Sequence, residues 1–314
     1  MRDLLLFALA GFAASFVDGA LGMGFGPTSS SILLGSGLAP AAVSACVNIS
    51  KVATGVAAGV SHWRFKNIDK KLVLNLALPG IAGALLGVTV LSHVNGAVLK
   101  PILAALLTII GLRILVRFAR PIGVKEPEAG EAEADPDRIA PFNARGVRIA
   151  ALLGGVTNGM IGAWGPVVTP FLLHRGVRPR FAIGCVNTAE VAVASASAFS
   201  LIATVGRGGL NVGIILAMLI GGVIAAPVAA WVIRYVPARP MGVAVAGLLL
   251  LTNARELAAW GGLSSGPWVW VIYSGIVTVV LFALFGTRLR PATSATSPAA
   301  EVSSSPVAAS GSGA

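Results

Sequence analysis

The sequence predicts an all-α polytopic membrane protein with two inverted repeats. Each repeat is a re-entrant or broken-helix hairpin followed by three transmembrane helices, and one extra C-terminal transmembrane helix follows the second. Three observations predict this fold: an apolar composition, apolar stretches of membrane-spanning length, and an internal duplication. Of the 314 residues, 56% are hydrophobic and 11% charged, with a mean hydropathy of +0.86. Soluble domains carry about 25% charged residues, so this composition excludes a soluble globular protein.

Nine apolar stretches are long enough to form membrane helices or hairpins. Two of them, 4–38 and 149–173, are interrupted by glycine and proline at 22–27 and 162–166, so we expect re-entrant hairpins rather than full crossings. In 149–173, each hairpin arm would have about 12 residues and would reach about the middle of the bilayer. The other seven have the length of about 20 residues that crosses a bilayer, and they are 41–62, 72–91, 98–117, 181–205, 210–233, 240–259 and 267–286.

An internal duplication relates the two halves of the chain, and such repeats define a fold more strongly than local patterns. A shift of 139 residues aligns both glycine-proline turns, two Cys-Val-Asn stretches and two charged residues. The aligned positions are Gly26-Pro27 with Gly165-Pro166, Cys46-Val47-Asn48 with Cys185-Val186-Asn187, and Lys51 with Glu190. This ordered series predicts a first repeat over 1–119 and a second over 146–260, with the extra helix within 261–290.

Two segments have compositions that cannot form a packed core. Residues 120–145 contain six acidic residues together with proline and alanine, which predicts a solvated acidic linker between the repeats. Residues 291–314 are rich in serine, alanine and proline, which predicts a disordered tail.

The basic residues predict how the halves lie in the membrane. The net charge of +11 comes from Lys and Arg between apolar stretches, which indicates topology rather than nucleic-acid binding. If both interrupted segments return to their own side, the strongly basic loops at 64–71, 113–125, 174–180 and 234–239 all lie in the cytoplasm. The odd number of crossings in each half then inverts one repeat relative to the other.

Broken segments at equivalent places in two inverted halves indicate a transport site near the midplane. Gly26 and Pro27 open the second arm of one hairpin, and Gly165 and Pro166 open that of the other. A helix N-terminus presents unpaired N–H groups and a partial positive charge, so we expect a small anionic substrate there. Trp164 lies inside the second turn and would wall the cavity. The alternative is that glycine and proline only kink two closely packed helices.

Polar side chains near the turns extend this candidate substrate site. The hydroxyls of Thr28, Ser29 and Thr169 would donate to an oxyanion, or else bond back to carbonyls of their own helices. The repeat-equivalent amides of Asn48 and Asn187 mark either a substrate site or a helix–helix contact.

Three ionisable residues lie inside or beside predicted membrane helices, where such groups carry function by default. Lys51 would attract the anion while Glu190 accepts and releases a proton; equally, the two would form a structural ion pair. Equivalent positions of an inverted repeat lie across its pseudo-two-fold axis, so we expect these residues to face each other. Asp18 is either a second proton-coupling residue or a cap of the first turn.

Two short motifs occur once in each half. A glycine-rich turn, a proline and an apolar stretch span 19–34 and 159–173. An Ala-Ile-Gly-Cys-Val stretch spans 182–186 and has a looser Val-Ser-Ala-Cys-Val counterpart at 43–47. Over about 10–286, this pattern resembles the sulfite exporter TauE/SafE family, also described as toluene sulfonate uptake permeases. Cys-Val stands twice where the family has a Thr-Ser-like pair, at Cys46-Val47 and Cys185-Val186.

The resemblance implies a secondary transporter of a small sulfur-containing anion, such as sulfite, a sulfonate, a sulfoacetate-like molecule or thiosulfate. It also implies proton coupling and a place in the bacterial inner membrane. A passive anion channel with the same site is an alternative. An intramembrane enzyme is disfavoured, because the sequence has no Ser–His, Cys–His, paired-carboxylate or metal-ligand motif at catalytic spacing. We expect no cofactor and no metal; the partners are the anion, protons and membrane lipid.

Overall fold

The computed structural model describes residues 2–21, 23–119, 142–205, 212–232, 238–263 and 267–285. All regular secondary structure in these ranges is α-helical, which confirms the predicted all-α class. The predicted tail and nearly all of the predicted linker lie outside the described residues. The described residues form eleven helices: α1 (Arg2–Leu21), α2 (Phe25–Gly35), α3 (Pro40–Arg64), α4 (Lys70–His93), α5 (Gly96–Ala119), α6 (Ala144–Ile161), α7 (Gly165–His174), α8 (Pro179–Val205), α9 (Val212–Val232), α10 (Ala238–Trp260) and α11 (Pro267–Phe285).

The helix lengths follow the same succession in α1–α5 and α6–α10. In each series a helix of 20 or 18 residues precedes a short one of 11 or 10 residues, and three helices of 21 to 27 residues follow. Six described helices, α3, α4, α5, α8, α10 and α11, are long and apolar enough to cross a membrane. The seventh predicted crossing, 210–233, coincides with α9, whose described apolar stretch, Val212–Ala225, is shorter.

Each interrupted segment reverses direction and returns to the end of the bundle where it begins. Leu6, near the start of α1, lines the same cavity as Gly35 at the end of α2. Near the start of α6, a Cβ on Gly146 would lie 3.4 Å from the ring of Phe171 in α7. Both segments are therefore helical hairpins. The predicted arm of about 12 residues is wrong for α6, because this helix extends back to Ala144.

The break in the second hairpin has a local cause. Gly162 has a φ of +67°, a left-handed conformation that L side chains rarely adopt, and its N–H donates to the carbonyl of Asn158 at 2.7 Å. This is a common way to end a helix. Pro166 in the first turn of α7 has no N–H to leave unpaired, so it suits the start of the next helix.

Close helix packing holds the hairpins against the long helices. α6 packs along α4 and α1 along α9, while α3 packs against α8. A Cβ on Gly155 of α6 would lie 2.9 Å from the backbone nitrogen of Ala84 in α4, and one on Gly11 of α1 would meet the backbone of Met218 in α9. Small residues allow this approach, which gives van der Waals contact where lipid removes the hydrophobic driving force between helices.

The two ends of the bundle differ in charge. At one end, which we call the basic end, Arg148 of α6 donates to Asn75 of α4 at 2.7 Å, and Arg239 of α10 donates to the carbonyl of Phe118 in α5 at 3.1 Å. At the opposite end, Leu6 and Arg255 line one cavity. Exposed basic residues of the basic end include Arg64, Lys66, Lys70, Lys71, Arg145, Arg148, Arg175 and Arg180.

Candidate functional site

A small cavity lies where the tips of the two hairpins meet α3 and α8. Its free space is about 10 Å³, about what one water molecule needs. The cavity is therefore closed in this structure and leaves no room for an oxyanion. This central cavity is lined by Asp18, Met23, Gly24, Phe25, Gly26, Pro27, Lys51, Gly162, Gly165, Pro166, Asn187 and Glu190.

An ion pair joins α3 to α8 at this cavity. The ammonium of Lys51 contacts Oε1 of Glu190, and the two side chains are 6% and 15% exposed. Lys51 Nζ also donates to the carbonyl of Gly162 at 2.7 Å and to Oδ1 of Asn158 at 3.3 Å. All three hydrogens of the ammonium thus have an acceptor. The two repeat-equivalent residues face each other as expected, and the structural ion pair is formed.

Asp18 caps the N-terminus of α2. Its Oδ1 accepts hydrogen bonds from the backbone N–H groups of Gly24 at 2.8 Å and Phe25 at 3.2 Å. Of the two alternatives for this residue, the turn cap is present in the structure. The carboxylate occupies the place at the α2 N-terminus where an external anion was expected, so these amides are already paired with a negative group.

The second hairpin tip has a different electrostatic arrangement. Asn158 aligns with Asp18 with one residue of slippage, but its Nδ2 donates to Oδ1 of Asn48 at 2.7 Å and to Oγ of Ser197 at 3.2 Å. No described side chain caps α7. The Gly165 end of α7 therefore presents partial positive charge to the central cavity without a side-chain cap of its own.

The two equivalent amides, Asn48 and Asn187, have different roles in the packing. Asn48 is fully buried, and its Nδ2 donates to the carbonyls of Ser44 at 2.9 Å and Asn158 at 3.2 Å. It joins α3 to α6 and does not line the central cavity. Asn187 does line it, with its Nδ2 3.3 Å from Nε2 of His62.

The predicted hydroxyl residues do not line the central cavity. Ser29 donates back to carbonyls of its own helix, those of Phe25 and of Gly26 at 3.1 Å. Thr28 and Thr169 are buried, and their hydroxyls have no hydrogen-bond partner among the described residues. In this closed conformation none of the three contacts the cavity.

Trp164 does not lie where the sequence predicts it. The predicted position at the cavity wall is wrong, because the fully buried ring packs into the core formed by α4, α6 and α8. Gly80 and Gly154 leave the space for it, since a Cβ on either would lie 2.8 Å or 3.3 Å from the ring. Its Nε1–H donates to the carbonyl of Val186 at 3.1 Å. Trp164 thus anchors the tip of the second hairpin to the core and to α8.

Four residues that line the central cavity are absent from the predicted site residues. They are Met23, Gly24, Phe25 and Gly162. All four lie within the two glycine-rich turns at 22–27 and 162–166, which did mark the region. Gly162 contributes through its backbone carbonyl, and such an acceptor cannot be predicted from the type of side chain.

Six membrane-length helices and a buried charged cavity between two helical hairpins are the features of a multi-pass helical membrane transporter. A family model described as Sulfite exporter TauE/SafE matches residues 7–255, and the chain belongs to this family. It is 38% identical over 259 residues to the Probable membrane transporter protein YtnM of Bacillus subtilis (strain 168). These aligned residues cover 82% of this chain and 83% of that protein. No solved structure matches the chain significantly.

Proposed function

We propose that the protein is a proton-coupled secondary transporter of a small sulfur-containing anion in the bacterial inner membrane. The substrate class comprises sulfite, small sulfonates, sulfoacetate-like molecules and thiosulfate, and the family description supports it. The observation that carries the proposal is the Lys51–Glu190 ion pair at the meeting point of the hairpin tips. Intramembrane charges are costly, so a pair placed beside a cavity favours a role in moving charge.

The anion binds between Lys51, the Gly165 end of α7 and the amide of Asn187. Lys51 supplies the positive charge, and the uncapped α7 N-terminus supplies its partial positive charge and the backbone N–H of Gly165. Asn187 lies on the same cavity and adds a neutral donor. These groups suit a compact oxyanion, whose several oxygens accept hydrogen bonds from different directions.

Proton coupling follows from the two carboxylates that line the same cavity. Glu190 is paired with Lys51 and Asp18 with the N-terminus of α2, so each acts as an internal substitute for the substrate anion. Protonation of Glu190 frees the ammonium of Lys51, and the arriving anion replaces the lost negative charge. Charge in the cavity is then conserved for a monovalent substrate, which avoids an uncompensated charge inside the membrane.

Alternating access rests on an inverted arrangement of the halves, with the basic end in the cytoplasm. Supporting this, the α6–α7 hairpin has Gly146 and Phe171 at the basic end, whereas the α1–α2 hairpin has Leu6 and Gly35 at the end that carries Arg255. Two hairpins of opposite entry that share one cavity would open it to one side at a time. The small volume of the closed cavity favours this cycle over a permanently open channel.

Flux measurements in proteoliposomes test the proposal. The probe is a ³⁵S-labelled small sulfonate, which stays ionised near neutral pH, so a pH gradient cannot drive its passive entry as a neutral acid. We expect saturable uptake and accumulation above the external concentration when a proton gradient is imposed. Glu190→Gln should abolish gradient-driven accumulation, while the control Lys71→Gln, an exposed residue of the basic end, should not. Equilibration without accumulation would show a channel, and absence of saturable flux for sulfonates and sulfite would refute the proposal.

A further inference from the structure

A second cavity opens at the basic end between α5 and α7, with a volume of about 520 Å³. Three basic side chains line it: Arg113 and Arg117 from the end of α5, and His174 from the end of α7. No acidic residue is among the described residues that line it. We call this cavity the basic vestibule.

The basic vestibule adjoins the central cavity. Met23 and Pro166 line both cavities, so these two residues form the wall between them. Met23 belongs to the break between α1 and α2 and is only 7% exposed. Pro166 has a rigid ring in the first turn of α7. Of the two, the flexible methionine side chain is the one that can move without a change in the backbone.

Arg117 holds this methionine. Its Nη1 lies 3.4 Å from Sδ of Met23, and its guanidinium lies over the ring of Phe118 at 5.6 Å. A thioether is a weak acceptor, whereas an oxyanion forms strong, often bidentate hydrogen bonds with a guanidinium. An anion that enters the vestibule would therefore draw Arg117 away from Met23.

The corresponding cavity at the opposite end is less basic. It lies between α2 and α10, where Gly35 aligns with His174 and Thr252 with Arg113 under the 139-residue shift. Arg255 is its only basic lining residue among those described. Repeat-equivalent residues thus line one cavity at each end of the bundle, and the cavity at the basic end has more basic side chains.

We propose that the basic vestibule is an anion-loading site and that Met23 is the gate between it and the central cavity. A small oxyanion binds first to Arg113 and Arg117, which releases Met23 and opens the way to Lys51. The inference rests on the proposed transport function. It adds a second binding site, and it assigns loading to the basic end.

The first test measures the electrostatics of the vestibule without transport. Val167→Cys places a thiol in the vestibule, and the two native cysteines are buried. In the full chain in nanodiscs, we expect an anionic methanethiosulfonate reagent to react faster than a cationic one, and methanesulfonate to slow the reaction. Arg113→Gln and Arg117→Gln should each reduce the preference roughly tenfold, while Lys71→Gln should leave it unchanged. Ile109→Cys, an exposed vestibule residue, replaces Val167→Cys if that variant misfolds.

The second test measures flux from each side. Arg113→Gln and Arg117→Gln should raise KM roughly tenfold for substrate added at the basic end. Arg117→Lys should raise KM less than Arg117→Gln does. Met23→Ala should accelerate labelling of Asn187→Cys from that end, whereas Met23→Leu should not. The proposed anion-loading site would be refuted if the arginine variants kept the wild-type preference for the anionic reagent, or if methanesulfonate did not slow the reaction of the thiol. If methanesulfonate protects the thiol and the anionic reagent reacts faster, but the wild-type protein shows no flux, the vestibule would stand and the proposed transport function would be refuted.

Discussion

Lys51 on α3 and Glu190 on α8 form an ion pair at the tips of the two hairpins, and the two residues are separated by the same 139 positions that relate the two halves of the chain. The ammonium also donates to the carbonyl of Gly162. One side chain thus connects both central helices and the break of the second hairpin. The ion pair and the break of the second hairpin therefore share one ammonium group.

Removing one member of this pair should destabilise the protein more than removing both. Lys51→Gln leaves the Glu190 carboxylate buried without its partner, and loss of one partner of a buried pair costs about 3–5 kcal/mol. The double variant Lys51→Gln/Glu190→Gln leaves no charge and should recover most of the loss. Thermal unfolding of the purified protein in detergent measures this. A double variant as unstable as the sum of the single variants would contradict the pair's role.

Asp18→Asn should fold normally and bind anions more tightly. An asparagine oxygen can still accept from Gly24 and Phe25, so the cap is retained, but the negative charge that competes with the substrate is removed. Asp18→Ala removes the cap and should lose about 1 kcal/mol of stability. Methanesulfonate binding at neutral pH, measured by calorimetry, separates the effects of charge and cap. Weaker binding by Asp18→Asn than by the wild type would contradict the competition.

Packing of α6 against α4 should depend on the absence of a side chain at Gly155. A Cβ there would lie 2.9 Å from the Ala84 nitrogen and against the backbone of Gly80, so Gly155→Ala should destabilise by about 1–3 kcal/mol. Gly275→Ala is the matched control, because nothing lies within 4 Å of its Cβ in α11. It should be neutral or slightly stabilising. Melting temperatures compare the two; equal effects would argue against close packing of α4 and α6.

Variants of Trp164 and Asn187 should have different effects, because Trp164 packs behind the site and Asn187 contacts the substrate. Trp164→Phe keeps an aromatic ring but loses the hydrogen bond to Val186, so we expect a stability loss of about 1 kcal/mol and a KM within roughly twofold of the wild type. Asn187→Ala removes a donor from the central cavity and should raise KM roughly tenfold with a smaller effect on stability. Sulfonate flux and thermal unfolding of both variants check this contrast, and reversed effects would contradict the assignment.

The two hairpins should be reachable from opposite faces of the membrane. Ser36, after α2, and Arg175, after α7, are both exposed. In intact cells, we expect an impermeant maleimide to label Ser36→Cys directly and Arg175→Cys only after permeabilisation. Labelling of both residues from one side would rule out the inverted arrangement.

The sequence predicted the helical membrane fold and the facing of Lys51 and Glu190, because hydropathy and an internal repeat are properties of the chain itself. It did not predict where Trp164 points, since this depends on the space left by Gly80, which is distant in sequence. For Asn48 the sequence left a substrate site and a helix–helix contact open, and the pairing of its amide with Asn158 of another helix is the contact. Contacts between distant segments decide these positions, and local patterns carry no record of them.

The central claim is that a small anion binds where Lys51 is held by Glu190. Calorimetric titration of methanesulfonate into the purified Lys51→Gln/Glu190→Gln variant tests it most directly, because this variant leaves no unpaired charge and its stability can be checked in the same sample. We expect wild-type protein to show a binding component whose affinity rises as the pH falls, and the double variant to lose this component while keeping only the binding at Arg113 and Arg117. Equal affinities in the two proteins would contradict the claim.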